Sequence, residues 1–298
     1  MARAPGRTPS FATRAAWACE GAALTALFWA LSLLPVAWAS GLIGGLARTF
    51  GPCLPQSRRA AAHMAWAMPD LPEGGRNKAI ADMWDNLGRV IAEYPHLRTI
   101  VESRVTVEGA EIARAALASG RGALFVSGHL ANWEVLVPFF IHMTGAQMAL
   151  TYRKPNNPWV ARLLARARWT SGVEQALSKG DRVTAPRLVQ TLRNGGVAGM
   201  LADQKYNEGP DVPFFGRPAR TNPAPVRLAR RYGAALILVS IRRLPCARFV
   251  ITIAEPLEVA GRSDESVLAD INAHMERWIR AEPGQWLWLH RRWGRNGF

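Results

Sequence analysis

Cysteine is scarce in this chain, which has three among its 298 residues: Cys19, Cys53 and Cys246. Their odd number and wide separation exclude the paired spacing of a disulfide framework or a cysteine zinc site. No internal repeat or low-complexity segment is evident either. We therefore expect reduced, structural thiols, no metal centre and no bound cofactor.

Acidic residues are also few, because 37 Lys and Arg outnumber 22 Asp and Glu to give a net charge of +15. Such a charge indicates anionic partners, which can be phospholipid, nucleic acid or an acidic protein. The twelve tryptophans of the chain help to choose among these three kinds of partner. Trp beside Arg is favoured where an apolar surface meets anionic head groups, so we expect a membrane partner rather than nucleic acid.

Charge is absent altogether from the 27 residues between Glu20 and Arg48. This run exceeds the roughly 20 residues that cross a bilayer. A secretory signal is the alternative, since Ala37-Trp38-Ala39 resembles a cleavage site behind an arginine-bearing start. We favour an uncleaved anchor that Pro35 kinks or interrupts. The predicted organisation is a basic lead and membrane anchor over residues 1–50 and one catalytic domain over residues 51–298.

Downstream, short apolar runs alternate with longer amphipathic ones, which predicts an α/β fold with a mixed sheet flanked by helices. Strands are predicted at Ala123–Ser127, Gln147–Tyr152, Gly196–Leu201, Ala235–Ile241 and Phe249–Ala254. Helices are predicted at Arg58–Met68, Lys78–Tyr94, Glu111–Ala118, Asn132–Met143, Pro158–Trp169, Ala185–Arg193, Ala224–Tyr232 and Ser266–Arg280.

The most informative motif is Ser-Gly-His-Leu-Ala-Asn-Trp-Glu, which places His129 and Glu134 just after an apolar run. Five positions on one helix would separate them by about 140°, so they must straddle a strand-to-helix boundary to meet. Asn132 is a suitable N-cap for the helix, whose backbone N–H groups would face a developing oxyanion. A histidine that takes a hydroxyl proton, steadied by a carboxylate, suits acyl transfer to an alcohol.

Other interpretations of this motif stay open from the residues alone. His129 can cap a turn while Glu134 interacts with the helix dipole. A metal site is disfavoured because the spacing is not His-Glu-x-x-His and no further ligand cluster stands nearby. A serine hydrolase is also disfavoured, because Ser127 lacks the leading glycine of a nucleophile elbow.

The motif resembles the His-x4-Asp/Glu motif of the glycerolipid and lysophospholipid acyltransferase superfamily. Four further segments, in the same order along the chain, resemble the bacterial lipid A late acyltransferases, the lauroyl and myristoyl transferase family. They are Tyr152–Pro158, Leu201–Gln204, Val212–Gly216 and Trp286–Arg292. The resemblance runs from the anchor to the last ten residues.

The resemblance implies His129 as the base and Glu134 as its carboxylate partner. It also implies an essential arginine, which aligns best with Arg168, and an essential aspartate at Asp203. Arg153 belongs to a segment in which Lys154 departs from the family's Tyr-Arg-Pro. We expect Arg168, Asp203 and Arg153 to bind substrate. Guanidinium groups such as Arg168 suit phosphates because they bind bidentately and stay charged, and Asp203 could orient Arg168 or the acceptor.

By resemblance, the acyl donor is an acyl carrier protein thioester and the acceptor is an anionic glycolipid, a Kdo-bearing lipid A precursor. The family also implies the bacterial inner membrane, with the catalytic domain on its cytoplasmic face. One rival is acylation of another membrane lipid, such as a phosphatidylinositol mannoside, a lysophospholipid or an ornithine lipid, from acyl-CoA. A thioesterase and a non-catalytic basic binder are two further rivals.

Overall fold

A seven-stranded mixed sheet forms the centre of the computed structural model, which describes residues 9–174, 176–178 and 183–293. Its strands stand in the order β1-β9-β8-β2-β5-β3-β4, and β6 and β7 form a separate hairpin. The strands are β1 Val105–Glu108, β2 Ala123–Ser127, β3 Met148–Tyr152, β4 Ala176–Ser178, β5 Val197–Leu201, β6 Asp211–Phe214, β7 Arg217–Arg220, β8 Ala235–Leu244 and β9 Arg248–Ile253.

Strands β2 and β5 lie next to each other at the centre of the sheet and run parallel. Ser127 is in register with Leu201, so the two strands end at the same edge. Every residue of β2 is buried, as expected for a strand covered on both faces. The segments that follow the two strands therefore start side by side, although more than 70 residues of sequence separate them.

Helices cover the sheet and carry the amino-terminal region. They are α1 Phe11–Ser32, α2 Val36–Phe50, α3 Pro55–Ala67, α4 Glu73–Glu93, α5 Leu97–Ser103, α6 Ala110–Ala118, α7 Leu136–Thr144, α8 Pro158–Thr170, α9 Thr184–Arg193, α10 Ala224–Tyr232 and α11 Asp264–Ala281. Short 3-10 helices connect several of them, including one at Trp133–Val135 directly before α7. The predicted α/β fold, with a mixed sheet flanked by helices, is confirmed.

The uncharged amino-terminal run is divided between two helices, because Pro35 stands at the N-cap of α2 and ends the continuity. Helix α1 is long and apolar enough to cross a membrane, with a mean hydropathy of 1.2. It also contacts the rest of the chain, since Asn157 donates 2.9 Å hydrogen bonds to the Trp17 carbonyl and to Glu20. The division at residue 50 into anchor and catalytic domain stays a prediction.

The five predicted strands and eight predicted helices are all present, with ends shifted by a few residues. Strands β1 and β4 and the β6–β7 hairpin are additional. The carboxyl-terminal tryptophans lie in an irregular segment that makes an isolated bridge between Leu130 and Trp286 and turns at residues 288–289. Trp286, Trp288 and Trp293 are almost completely buried there, so this segment closes the core beside the end of β2.

Candidate active site

The segments that leave β2 and β5 bring His129 and Asp203 together. Each residue stands two positions beyond its strand, and the parallel pairing of the strands sets the two segments side by side. Gly128 allows the close approach, because a Cβ at this position would lie 3.3 Å from the Asp203 carboxyl carbon. The site therefore lies at the carboxyl edge of the sheet, where open α/β sheets place their ligands.

Asp203 holds His129 at two points. Its carboxylate accepts a 2.8 Å hydrogen bond from Nδ1 of the ring and a 2.9 Å bond from the His129 backbone N–H. The Trp286 indole donates a third bond of 2.8 Å. Burial alone would raise the pKa of Asp203, but the charge and hydrogen bonds of His129 outweigh it and keep that pKa well below its usual value. The buried carboxylate therefore stays ionised and keeps a proton on Nδ1.

The other ring nitrogen of His129 is covered by the residue after Asp203. The side-chain amide nitrogen of Gln204 lies 3.1 Å from His129 Nε2 and 2.9 Å from Nε2 of His290. Burial, together with the charge of His129, lowers the pKa of His290 to about 4. His290 is therefore a neutral imidazole at neutral pH. Asp203 and Gln204 together contact both nitrogens of the candidate base.

Glu134 does not hold His129, which corrects the predicted pairing. Both ring nitrogens of His129 have other partners, and the Glu134 carboxylate accepts two 2.8 Å bonds from Arg168, one from Nε and one from Nη2. Burial would raise the pKa of Glu134, but the Arg168 bonds dominate and lower it. Glu134 and Arg168 form a buried bidentate ion pair between the turn after β2 and helix α8.

Arg168 differs from its prediction for the same reason. Its side chain is only 7% exposed, its fork faces Glu134, and its guanidinium carbon lies 4.8 Å from the centre of the Tyr152 ring. Nη2 also donates to the Tyr94 hydroxyl at 3.3 Å. Arg168 therefore makes buried structural contacts within the protein and does not present its guanidinium group to a phosphate. Asp203 likewise uses its carboxylate on His129 and Trp286 and makes no bond to Arg168 among the described residues.

The backbone between His129 and Glu134 explains why the two side chains separate. Ala131 has a φ of 44°, in the left-handed region that residues other than glycine rarely adopt. Its N–H donates to the Gln285 carbonyl at 2.8 Å, and its own carbonyl accepts a 2.9 Å bond from Asn86. These two hydrogen bonds stabilise the left-handed backbone at Ala131, after which the Glu134 side chain pairs with Arg168. The five-residue spacing therefore does not produce a His–Glu contact.

Asn132 caps the following turn as predicted, but it also occupies the N–H groups that were expected to face an oxyanion. Its side-chain oxygen accepts the Glu134 N–H at 3.1 Å, and its carbonyl accepts the Val135 N–H at 3.1 Å. The first turn is 3-10 rather than α-helical. Two of the predicted oxyanion donors, the Glu134 and Val135 N–H groups, are thus already bonded within the turn.

A cavity of about 420 Å³ opens beside His129 and runs into the apolar interior. Phe125, Val137, Phe140, Met148 and Gly199 are among its lining residues, which come from the sheet and from α7. Polar side chains gather at the catalytic edge, namely Ser127, His129, Glu134, Arg153, Arg168, Gln204 and His290. A cavity lined mainly by apolar side chains, with His129 in its wall, suits a fatty acyl chain whose reacting carbon lies at His129.

Arg153 lies on this cavity and is exposed, as a substrate-facing arginine would be. Within the described residues it has no ion-pair partner, in contrast to Arg168. Over the same residues, no group of three or more His, Cys, Asp or Glu side chains is arranged to hold a metal ion. Around His129 the described residues bring together a buried aspartate, a side-chain amide and an apolar cavity.

Sequence reasoning missed Trp286, Gln204 and His290 as parts of the site. The Trp286–Arg292 segment and the Leu201–Gln204 segment were both singled out for their resemblance, and that was the available signal. These residues come together because the carboxyl-terminal segment lies against residues 129–131. The Leu287 N–H donates to the His129 carbonyl at 3.2 Å there.

Comparison with known proteins identifies the family of this chain. A family model described as bacterial lipid A biosynthesis acyltransferase matches residues 6–295. A lipid A biosynthesis palmitoleoyltransferase of Escherichia coli (strain K12) is 28% identical over 262 residues, 84% of this chain and 82% of that protein. A phosphatidylinositol mannoside acyltransferase of Mycobacterium tuberculosis is 28% identical over 160 residues, 51% of each chain.

Among solved structures, a 1-acyl-sn-glycerophosphate acyltransferase from Thermotoga maritima is 16% identical. It covers 91% of this chain and 99% of its own, with a TM-score of 0.41. The family model, by contrast, extends over almost the entire sequence. The resemblance predicted from the motifs is confirmed: the chain belongs to the bacterial lipid A biosynthesis acyltransferase family and is an O-acyltransferase that acts on a membrane lipid.

Proposed function

We propose that the protein moves a fatty acyl chain from an acyl carrier protein thioester to a hydroxyl of a lipid A precursor, at the cytoplasmic face of the inner membrane. One observation carries the proposal above the others. His129, held through Nδ1 by buried Asp203, lines a largely apolar cavity. A base in the wall of a cavity that can hold an acyl chain suits attack on a thioester carbonyl.

In the proposed reaction, Nε2 of His129 takes the proton of the acceptor hydroxyl while its oxygen attacks the thioester carbon. Asp203 fixes the ring tautomer and stabilises the imidazolium that forms. The tetrahedral intermediate collapses, the C–S bond breaks, and the leaving thiolate receives the proton from His129. No metal or cofactor takes part in these steps.

Glu134 and Arg168 act as positioning residues in this proposal. Their buried pair ties the turn after β2 to α8 and forms part of the cavity wall. Arg153, exposed at the cavity, is the side chain that we assign to the acceptor's phosphate groups. An acidic carrier protein would be attracted by a chain of net charge +15, which supports a carrier protein as donor.

A gain-of-function experiment tests the acceptor. The chain is expressed in cells that lack a late lipid A acyltransferase, and the mass of extracted lipid A is measured. One added acyl group is expected with the wild type and none with His129→Ala at equal membrane abundance. Unchanged lipid A with abundant, folded wild-type protein would contradict the proposal.

A second acceptor class is favoured by one specific observation, the similarity to a phosphatidylinositol mannoside acyltransferase over half of the chain. Purified protein is therefore incubated with labelled acyl carrier protein or acyl-CoA thioesters and with each lipid in turn. Transfer to the lipid A precursor from the carrier protein is the expected result. Preferred acylation of a phosphatidylinositol mannoside from acyl-CoA would replace the proposal, and free fatty acid alone would indicate a thioesterase.

A further inference from the structure

Gln204 carries a side-chain amide that the mechanism above leaves unused, although it touches the candidate base. Asp203 keeps the proton of His129 on Nδ1, so Nε2 bears a lone pair and requires a donor. The Gln204 amide nitrogen is the group found there, at 3.1 Å. The amide therefore blocks His129 Nε2, the atom that has to accept the proton of the acceptor hydroxyl.

His290 anchors the same amide. Its Nε2 lies 2.9 Å from the amide nitrogen, and its ring centre is 5.3 Å from that of His129. A carboxamide NH2 group has two hydrogens, which is the number needed to donate to two imidazole lone pairs. Both hydrogens are thus used in this structure, one on each ring.

We propose that Gln204 is a catalytic residue that supplies the oxyanion donor. The acceptor hydroxyl displaces one N–H of Gln204 from His129, and that N–H then donates to the thioester carbonyl oxygen while the second stays on His290. This inference rests on the proposed acyl transfer. It assigns His290 as a positioning residue that acts through Gln204.

The geometry of the displacement favours this assignment. A hydroxyl that loses its proton to His129 must come within about 2.6–3.2 Å of Nε2, which is where the amide nitrogen now lies. A small shift of an amide tethered by His290 leaves its released N–H beside the reacting carbon. The backbone N–H groups of Glu134 and Val135 are already bonded to Asn132 and cannot serve without breaking the turn.

The chemical step balances with these groups alone. The acceptor O–H proton passes to His129 Nε2, the C–O bond forms, and the carbonyl π pair moves onto oxygen, where Gln204 donates to it. When the C=O bond forms again, the C–S bond breaks and the thiolate takes the proton from His129. Gln204 then returns to the Nε2 lone pair.

Ser127 is the competing donor. Its hydroxyl lies on the same cavity, is buried, and has no hydrogen-bond partner within the described part of the chain. It precedes His129 by two residues. The experiment therefore needs a serine variant beside the glutamine variants.

The test compares Gln204→Leu, which keeps the side-chain size but removes the amide, with Ser127→Ala and with Gln190→Leu on the exposed face of α9 as the matched control. Full-length protein in mixed micelles is assayed with lauroyl and palmitoyl carrier protein and a Kdo-bearing lipid A precursor. Gln204→Leu is expected to lower kcat by about 10²- to 10³-fold, the usual loss for one oxyanion donor. KM for donor and acceptor should stay within about threefold of the wild type, and so should kcat of Gln190→Leu. Ser127→Ala should lose less kcat than Gln204→Leu.

Two further variants test the contacts of Gln204. Gln204→Glu should move the acidic limb of the kcat/KM pH profile upward, because a carboxylate beside Nε2 favours the imidazolium, and this shift reports the placement of residue 204 beside the base. His290→Phe should lower kcat, whereas His290→Gln, which retains an acceptor atom, should recover part of the loss. The partial recovery in His290→Gln does not follow from a Gln204 that only fills space.

A turnover-independent measurement keeps the inference falsifiable if no acceptor is acylated. The imidazole ¹⁵N signals of His129 are recorded in the wild type and in Gln204→Leu, and the Nε2 signal should move because it loses its donor. Wild-type kcat in Gln204→Leu, a large loss in Ser127→Ala instead, or an unmoved Nε2 signal would each overturn the assignment. Absence of transfer by the wild type with a displaced signal would instead count against the proposed function.

Discussion

Asp203 determines which ring nitrogen of His129 carries the proton, so the charge of its carboxylate matters more for catalysis than the volume of its side chain. Asp203→Asn keeps the shape but can hold the ring in the wrong tautomer, with Nε2 protonated and unable to act as a base. We expect kcat to fall by about 10²- to 10⁴-fold with modest changes in KM. Steady-state kinetics on matched preparations checks this, and an unimpaired variant would remove Asp203 from the mechanism.

The same substitution has a signature in the pH dependence of stability. The pKa of Asp203 is lowered in the folded protein, so the ionised carboxylate contributes to the free energy of unfolding. This contribution is complete above the unfolded pKa of about 4 and is lost progressively as the pH falls from there toward the lower folded pKa. Asn has no such contribution. The free energy of unfolding, measured by denaturant titration between pH 5 and 2, should therefore fall less steeply in Asp203→Asn than in the wild type.

Glu134 and Arg168 form a buried ion pair. Removing one partner should lower the free energy of unfolding more than replacing both partners by apolar residues. Glu134→Gln leaves the Arg168 charge buried without its partner and should lower the free energy of unfolding by about 3–5 kcal/mol. The double change Glu134→Leu with Arg168→Met should recover much of that loss. Denaturant unfolding of both variants checks this, and equal losses would show that the pair is not coupled.

At the scale of elements, α2 and α4 approach so closely that Gly88 has no room for a side chain. A Cβ there would lie 2.6 Å from both the Ile43 carbonyl oxygen and the Ala47 Cβ. Gly88→Ala should therefore destabilise the protein by about 1–3 kcal/mol. Gly45→Ala is the matched control, because nothing lies within 4 Å of its added Cβ and helix propensity should make it stabilising by about 0.5–1 kcal/mol.

These two glycines occupy neighbouring helices and differ chiefly in their surroundings, so opposite signs are the decisive result. The measurement is the midpoint and slope of chemical unfolding in the same detergent for both variants. A loss in both would point to a general intolerance of these helices rather than to the α2–α4 contact. A gain in both would mean that the helices are less closely packed than described.

The central strands could be predicted because they are short apolar runs bounded by turn residues. The site was harder to predict, since the carboxylate nearest to His129 in sequence is Glu134 and the one that holds it is 74 residues away. The order of the strands decides which of the two carboxylates reaches His129, and the pairing of β2 with β5 cannot be read from a single amino-acid sequence. The left-handed Ala131 is a second reason, because an alanine gives no sign of a reversal that its hydrogen-bond partners impose.

At the scale of the whole molecule, one face of α2 is apolar and open. Trp38, Leu42, Leu46 and Phe50 recur every four residues and are 73%, 53%, 49% and 66% exposed. Leu42→Glu with Leu46→Glu should weaken binding to anionic phospholipid vesicles, and the remaining binding should decrease as salt is raised. Vesicle sedimentation checks this against Val183→Glu, an exposed control outside α2, and unchanged binding would exclude this face as the lipid contact.

Glu93 connects that amino-terminal region to the site. Its buried carboxylate accepts 2.7 Å bonds from Ser40 of α2 and from Asn132, the cap of the Glu134 turn, and Arg243 of β8 pairs with it. A protein shortened to begin at residue 51 would lose the Ser40 hydroxyl and expose an anion that orders the loop behind the base. Kinetic constants obtained from such a truncation would therefore describe an altered enzyme, and detergent or nanodisc preparations of the intact chain are the appropriate material for enzymology.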